Sequence, residues 1–167
     1  MKQHGYTLIE CAISLILISL VTAMGLPSFN QMLRKQALDA ARTSLVSAIY
    51  MARHEAVHRS QPVTLLQREG DWNKGWTVIL DIDMNGELGA ADIVIRQQSA
   101  SAANVHVSGN LPVSRYIRYM PDGTARLYSG AFQAGTLAIC HASRNMSGIK
   151  LVLSSSGRLR QESTSCE

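Results

Sequence analysis

Gly5-Tyr6-Thr7-Leu8-Ile9-Glu10 opens an apolar run that ends at Pro27. Between Leu8 and Leu26 the only charged side chain is that of Glu10. An α-helix rises about 1.5 Å per residue, so a run of this length can cross a hydrocarbon core of roughly 30 Å. Lys2 and the amino terminus place positive charge before the run, which favours a cytoplasmic N-terminus. The run is therefore predicted to be a transmembrane helix that is followed by an exported domain.

The apolar run lacks the small-residue cleavage site of a secretory signal peptide and continues into an amphipathic helix. Its first residues instead resemble the class III signal of type IV pilins and pseudopilins. The resemblance implies that a prepilin peptidase cuts between Gly5 and Tyr6 and methylates the new amino terminus, with Tyr6 where the family usually has Phe. It also implies a leader over residues 1–5, a membrane and assembly helix over residues 6–27, and a periplasmic pilin domain over residues 28–167.

Glu10 places a carboxylate inside the apolar run. A charged side chain within a membrane is costly unless it is paired, so such a residue usually has a function. The pilin resemblance makes Glu10 the assembly carboxylate, which would pair in the fibre with the cationic amino terminus of Tyr6 on a neighbouring subunit. The alternative is a glutamate close enough to the membrane interface to stay hydrated. Cys11, the next residue, is predicted to be a buried free thiol.

The chain of 167 residues is long enough for one soluble domain on a membrane stalk. Its charge is uneven, because residues 29–92 contain seven Lys or Arg and eight Asp or Glu, whereas residues 93–167 contain eight and three. The last part of the chain is therefore where a polyanion would be attracted.

Two of the three cysteines, Cys140 and Cys166, lie near the C-terminus. In an exported domain such a pair predicts a disulfide, which would stabilise the fold by about 3 to 4 kcal/mol through the chain entropy that it removes from the unfolded state. The alternative is two free thiols, which would suit a cytosolic domain better.

After Pro27 apolar residues recur every three or four positions, which is the period of a helix with one buried face. Pro62 should end this helix near Arg59, and Pro27 should kink it or unwind it locally. Short β-rich runs then alternate with turn residues. The sequence therefore predicts an α+β, type IV pilin-like fold, in which the second half of a long helix packs on antiparallel sheets. The predicted strands cover residues 63–68, 75–80, 92–97, 104–107, 115–120, 124–129, 135–141, 149–154 and 158–161.

Three further stretches resemble the FimT/GspH-type minor pilins. They are the helix exit at residues 52–65, Trp72-Asn73-Lys74-Gly75-Trp76, and Tyr119-Met120-Pro121-Asp122-Gly123. The resemblance implies a structural subunit, not an enzyme, with a single pass through the bacterial inner membrane and a periplasmic C-terminal domain. Its partners would be the prepilin peptidase, membrane lipid before assembly, and other pilins in a pilus or pseudopilus.

His54-Glu55-Ala56-Val57-His58 matches the H-E-x-x-H pattern of zinc peptidases, in which two imidazoles bind the metal and the Glu acts as base. A catalytic zinc needs a third protein ligand, and no downstream helix is evident to supply it. His106 and His141 lie in predicted strands. We therefore interpret the motif as an incidental polar helix face, with zinc hydrolysis as the alternative.

Asp81, Asp83 and Asn85, followed by Asp92, have the spacing of oxygen ligands in a calcium loop. The stretch lacks flanking helices and the usual final Glu. The favoured interpretation is a solvated hairpin in which Asn85 and Gly86 adopt positive φ, and a structural calcium ion is the alternative. No cofactor is predicted.

Ser154-Ser155-Ser156-Gly157-Arg158-Leu159-Arg160-Gln161 contains the candidate binding site. In a strand that leaves a tight turn, residues i and i+2 face one side. Arg158 and Arg160 would then present parallel guanidinium groups about 6.5 to 7 Å apart, which suits neighbouring phosphates of a DNA strand, while Leu159 packs inward. Gly157 would leave room for the DNA backbone. The alternative is a pair of solvated arginines that protect an edge strand from aggregation.

These four residues, Gly-Arg-x-Arg, resemble the DNA-binding motif of FimT-type pilins that serve natural transformation. The resemblance implies a minor type IV pilin that binds extracellular double-stranded DNA through Gly157, Arg158 and Arg160, with Arg144 and Lys150 as electrostatic neighbours. Binding would not depend on base sequence, because phosphate contacts carry no base information. The alternative is a structural, GspH-like pseudopilin of a type II secretion system that does not bind DNA.

Overall fold

A computed structural model describes residues 7–99, 104–143 and 146–166. Within these ranges one α-helix, α1 (Leu8–Arg59), precedes eight strands and a short 3-10 helix at Leu111–Val113. The architecture is the predicted α+β fold. The strands are β1 (Val63–Arg68), β2 (Asp71–Leu80), β3 (Ile93–Ser99), β4 (Val105–Gly109), β5 (Tyr116–Tyr119), β6 (Gly135–His141), β7 (Gly148–Leu153) and β8 (Leu159–Thr164).

Local sequence fixes both ends of α1. At the start, the backbone N–H of Thr7 donates to Oε2 of Glu10 (2.8 Å), and the backbone N–H of Glu10 donates to Oγ1 of Thr7 (3.3 Å). This reciprocal pair is a capping box. At the other end Ser60 adopts a left-handed φ of +54° two residues before Pro62. The predicted end of the helix at Arg59 is therefore confirmed.

Residues 1–36 form one structural unit, and its described part is the first portion of α1. The helix continues through Pro27, so the predicted local unwinding is wrong. A proline removes only one backbone hydrogen bond from the ladder, and here the turns on either side remain helical. Ser14, Ser19 and Thr22 donate their hydroxyls to carbonyl oxygens about one turn earlier, which satisfies these groups within the helix.

Cys11 is a free thiol, as predicted, but it is exposed and not buried, because the described part of its unit is a single helix. Tyr6 and the side chains of residues 23–27, which belong to the predicted span, lie outside the described residues. Among the residues described, no helix has the length and apolar character needed to cross a membrane.

The second unit, Ala37–Glu167, begins somewhat later than the predicted boundary at residue 28. One face of α1 is buried here, and Ala48, Ala52 and Ala56 on that face have no exposed surface. Small side chains let the sheets approach the helix closely. The buried helix residues belong to one apolar cluster with residues of both sheets, such as Leu65 and Ile139.

The described strands form two four-stranded antiparallel sheets, with the orders β3-β2-β1-β5 and β4-β6-β7-β8. Asn73 of β2 connects them, since its Oδ1 accepts the backbone N–H of Val107 in β4 (2.7 Å). In the second sheet β8 is an edge strand. It pairs with β7 so that Lys150 lies opposite Glu162 and Val152 lies opposite Arg160. These pairs bring the candidate binding residues onto one face.

Residues 124–129 do not form the predicted strand. Ala125 and Arg126 make isolated bridges to Tyr119 and Phe132. The side chain of Gln133, which is fully buried, takes the place of a strand neighbour, because its Oε1 accepts the backbone N–H of Arg118 in β5 (3.0 Å). The other predicted strands are confirmed, with small changes at their ends.

The predicted disulfide between Cys140 and Cys166 is confirmed, with 5.8 Å between the two Cα atoms. It joins the end of β6 to the chain after β8 and crosses Gly148 at the start of β7. A Cβ atom at Gly148 would lie 2.4 Å from Sγ of Cys166 and 2.7 Å from Sγ of Cys140, so only glycine fits beneath the bridge. The bridge fixes the end of β8 against the sheet.

We expect the double substitution Cys140→Ser and Cys166→Ser to lower the free energy of unfolding by about 3 to 4 kcal/mol, because a cross-link over 26 residues restricts the unfolded chain. Urea unfolding with and without reductant measures this. Cys11→Ser is the matched control and should leave stability unchanged. Equal stability of the oxidised and reduced wild type would contradict the prediction.

Candidate nucleic-acid interface

The turn between β7 and β8 positions the two candidate arginines. The backbone N–H of Ser154 donates to the carbonyl oxygen of Arg158 (2.9 Å), and the N–H of Gly157 donates to the carbonyl oxygen of Ser154 (2.9 Å). The hydroxyl oxygen of Ser154 also accepts the backbone N–H of Arg158 (3.2 Å). Ser154 therefore closes the turn from both sides, and the backbone of Arg158 is fixed before β8 begins.

Gly157 is buried and has a left-handed φ of +76°. A Cβ atom here would lie 2.1 Å from the carbonyl oxygen of Gly123 and 2.9 Å from Cε1 of Tyr119. The predicted room for a DNA backbone beside Gly157 is therefore already occupied by the turn that contains Gly123. The role of Gly157 is to shape the turn beneath the arginines, because it is buried and little of its surface could contact a ligand.

Tyr119, at the end of β5, stabilises the turn between β7 and β8 from its buried side. Its side chain has no exposed surface, and its hydroxyl donates to the carbonyl oxygen of Gly157 (3.2 Å). Burial raises the pKa of the Tyr119 phenol well above its ordinary value, so the hydroxyl stays protonated and remains a donor.

Arg158 and Arg160 are both exposed, and they line one open groove of about 470 Å³ together with Val152 and Ser154. Leu159, between them, packs against the apolar core as predicted. The alternation expected for a strand leaving a tight turn is therefore present. Two guanidinium groups on one exposed groove can bind two phosphate oxygens or carboxylates.

Lys150 lies on the same outer face, because it is exposed and pairs across the strands with Glu162. Glu162 is the residue that the sequence reasoning missed. Its Oε1 lies 2.7 Å from Nε of Arg160, so part of the cationic surface is paired within the protein. The sequence Arg160-Gln161-Glu162 does indicate that Glu162 shares a face with Arg160, since residues i and i+2 of a strand lie on one side. Arg144, the other predicted neighbour, lies outside the described residues.

The H-E-x-x-H motif lies on the last turns of α1, and its two histidines are exposed. The His54 and His58 rings stack with centroids 5.9 Å apart. Oε2 of Glu55 accepts a hydrogen bond from Nε of Arg59 (2.6 Å), and this bond lowers the pKa of the Glu55 carboxyl. Within the described ranges, no third His, Cys, Asp or Glu lies close enough to share an ion with this pair. The geometry agrees with a polar helix face.

The acidic hairpin brings together one carboxylate oxygen from each of Asp81, Asp83 and Asp92, all within 4.8 Å. Asp81 is buried and accepts the hydroxyl of Tyr128 and the backbone N–H of Gly86 (3.1 Å). Asp92 likewise accepts two backbone N–H groups of the loop, at 3.0 and 2.7 Å. These carboxylates hold the hairpin by themselves, and the calcium alternative stays untested.

The predicted conformation of this hairpin needs one correction. Positive φ occurs at Met84 (+54°) and Gly86 (+78°), and not at Asn85. The reason is that the backbone N–H of Asn85 is directed at the carboxylates of Asp81 (3.2 Å) and Asp83 (3.3 Å), which moves the left-handed residue one position earlier.

The predicted processing site at Gly5 and Tyr6 lies outside the described residues. Glu10 is described, and in the single chain it caps α1 through Thr7, whose hydroxyl donates to its Oε2 (2.9 Å). Glu10 thus has a local structural role that the sequence analysis did not consider. Its predicted role in assembly stays a prediction.

Comparison with known families gives two matches. The pattern of the family described as "Type II transport protein GspH" matches residues 41–157, and the "Prokaryotic N-terminal methylation motif" matches residues 1–26. The first match ends at Gly157, so Arg158 and Arg160 lie beyond it. The second match covers the stretch in which cleavage and methylation were predicted. A search of curated protein sequences finds no significant match.

Solved structures with the same fold include two crystal forms of the type IV minor pilin FimU of Pseudomonas aeruginosa. The first is 23% identical, with a TM-score of 0.61 over 77% of this chain and 90% of that chain. The second is 22% identical, with a TM-score of 0.58 over 75% of this chain and 92% of that chain. The minor pseudopilin EpsH from the Type 2 Secretion System of Vibrio cholerae is 13% identical, with a TM-score of 0.55 over 75% and 96%. These similarities confirm the predicted pilin-like fold.

We expect Gly157→Ala to lower the free energy of unfolding by about 2 to 4 kcal/mol, because it adds a contact with Gly123 to the strain of a left-handed residue. Gly130→Ala is the matched control: Gly130 has a φ of +85° but no atom within 4 Å of its Cβ position, so only the backbone term of about 1 kcal/mol applies. Urea unfolding of both variants measures the difference. Equal losses would contradict the proposed role of the Gly123 contact.

Proposed function

The chain belongs to the GspH family, and on that premise we propose that it is a minor type IV pilin that binds extracellular double-stranded DNA, without sequence preference, for natural transformation. The observation that carries the proposal is the groove in which Arg158 and Arg160 are both exposed. The turn beneath them is held by Ser154, Gly157 and Tyr119. The arginines are therefore presented on a fixed backbone, which reduces the entropy lost when a phosphate binds.

The proposed contacts are electrostatic. Arg158, Arg160 and Lys150 offer two or three phosphate contacts on one face, so the logarithm of the binding constant should fall with the logarithm of salt concentration with a slope of about −2 to −3. In the described part of the chain, the groove that Arg158 and Arg160 line has no aromatic side chain on which a base could stack, which agrees with binding to the duplex backbone there. The imidazole rings of His106 and His141 line a separate groove beside Lys150. A single subunit would bind weakly, and several copies along a fibre would increase the avidity.

The second part of the proposal concerns the N-terminal segment. We infer that a prepilin peptidase removes residues 1–5, that residues 6–27 hold the subunit in the inner membrane as a single pass, and that the C-terminal domain is periplasmic until assembly. The match to the N-terminal methylation motif supports this inference. In this account Glu10 pairs with the methylated amino terminus of a neighbouring subunit, and the protein acts as a structural subunit and not as an enzyme.

A structural pseudopilin that does not bind DNA is the second candidate. The Arg160–Glu162 ion pair favours it, because an arginine that is already paired is less available to phosphate. The family description, a type II transport protein, is also consistent with this candidate. DNA binding by the purified protein separates the two.

We expect the full chain in detergent micelles to shift duplex DNA in a mobility assay, and we expect Arg158→Ala with Arg160→Ala to weaken binding roughly tenfold or more, because two charged contacts are lost. Arg68→Ala with Arg115→Ala is the matched control. These arginines line a groove on the first sheet, and their removal changes the net charge equally. Equal binding by the Arg158/Arg160 variant and the wild type would exclude the proposed site.

We expect Gly5→Ala to leave the protein unprocessed, because the peptidase cuts after this glycine. Glu10→Gln should permit processing but prevent incorporation into pili. This substitution removes the charge while its amide can still accept the hydrogen bonds of the capping box with Thr7. Immunoblots of whole cells and of sheared pili measure both effects, with Ser14→Ala on the same helix as control. Normal incorporation of Glu10→Gln would refute the ion pair.

A further inference from the structure

Glu162 is an anion on the proposed cationic surface, next to Arg160 along β8 and opposite Lys150 of β7. Its Oε1 lies 2.7 Å from Nε of Arg160, and the two side chains remain 44% and 73% exposed. Because residues two apart in a strand share a face, Arg160 and Glu162 both point outward from β8. The ion pair is thus on the surface that a polyanion would approach.

The strand register places a second cation beside the same carboxylate. Lys150 of β7 lies directly opposite Glu162, and side chains of such pairs begin about 5 Å apart. Lys150 and Arg160 are diagonal neighbours, for which a Cβ separation of about 7 to 8 Å is typical. Arg158, the residue before β8, and Arg160 are two positions apart, which corresponds to about 6.5 to 7 Å in an extended chain. The three cations therefore lie along the outer face of β7 and β8, and the carboxylate of Glu162 is next to both Arg160 and Lys150.

We propose that Glu162 is an intramolecular competitor of the phosphodiester backbone, and that Lys150, Arg160 and Arg158 become one phosphate-binding surface when the polyanion displaces Glu162 from Arg160. This inference rests on the proposed function and specifies how its site is regulated. An exposed ion pair is weak and is screened further by salt. A phosphate that contacts two or three cations therefore displaces a carboxylate that contacts one arginine.

The charge of Glu162 affects the affinity for DNA in two ways. In the free protein Glu162 reduces the positive potential at Arg160 and Lys150, and in the complex its charge repels the phosphates that replace it. Both effects weaken binding. Neutralising Glu162 should therefore strengthen binding, which a loss of folded protein that lowers the active fraction would not produce.

The test compares Glu162→Gln with Glu69→Gln in the full chain, using a short duplex DNA of mixed sequence over a range of salt. Glu69 lies on the turn between β1 and β2 and also forms an ion pair, in which its Oε2 is 2.9 Å from Nζ of Lys74. Both substitutions change the net charge equally. We expect Glu162→Gln to tighten binding about 3- to 10-fold at low salt and to steepen the salt slope by up to about one, and Glu69→Gln to leave both unchanged.

A second variant tests whether Glu162 acts through its ion pair. In the background of Arg160→Gln, the gain from Glu162→Gln should be clearly smaller than in the wild type, because one of the two cations that it masks is absent. An equal gain in both backgrounds would overturn the role of the ion pair. An equal gain from Glu162→Gln and Glu69→Gln would also overturn the proposal, since it would mean that only net charge matters.

Failure of this inference is distinguishable from failure of the proposed function. If the wild type binds DNA through Arg158 and Arg160 but Glu162→Gln has no effect, only the role of Glu162 is refuted. If neither the wild type nor Glu162→Gln binds duplex DNA, both the DNA-binding function and the inference are refuted.

Discussion

The contact between Gly157 and Gly123 is the constraint on which the candidate site depends. It joins the turn after β5 in the first sheet to the turn before β8 in the second, at a separation that excludes any side chain at Gly157. Helix α1 contacts both turns through Arg53. Nη2 of Arg53 donates to the carbonyl oxygen of Ser156 (3.3 Å), and the guanidinium group of Arg53 lies beside Gly123. Helix and both sheets therefore meet directly beneath the arginines. The position of Arg158 is set by packing of the whole second unit and not by its own strand alone.

Much of the fold could be read from local patterns. The period of apolar residues after Pro27 predicts the later part of α1, and alternation around Leu159 predicts which side chains of β8 face inward. Both patterns are local, because each depends only on residues within one segment, so they can be recognised in a single sequence. The strand expected at residues 124–129 is wrong for the opposite reason. In the chain as described, residues of this segment pair with β5 only at the bridge between Ala125 and Tyr119. The N–H of Arg118 and the carbonyl oxygen of Tyr116 bond the buried side-chain amide of Gln133, and a contact between residues this far apart in the chain has no local signature.

In the candidate site, too, some features follow from local sequence and others depend on tertiary contacts. The exposed arginines follow from alternation, and so does the presence of Glu162 on their face, although the sequence analysis considered only the cations. The pairing of Lys150 with Glu162 could not be predicted, because it depends on the register between β7 and β8. The role of Gly157 was also misjudged. A glycine beside a basic motif suggests open space, but only the tertiary structure shows that Gly123 fills it.

The distribution of charge within the second unit affects how strongly the proposed site would bind a polyanion. Its carboxylates Asp81 and Asp92 are engaged by backbone N–H groups of their own loop, so they stabilise a hairpin of the first sheet and lie on a different sheet from the cations. Glu162 differs from these two carboxylates, because it pairs with Arg160 on the proposed binding face, and under the proposed function it would lower the affinity of that face. Under the proposed function, a subunit with two or three partly masked contacts would release a polymer readily. Retention would then depend on how many subunits engage the same duplex at once, which would couple capture of DNA to assembly of the fibre.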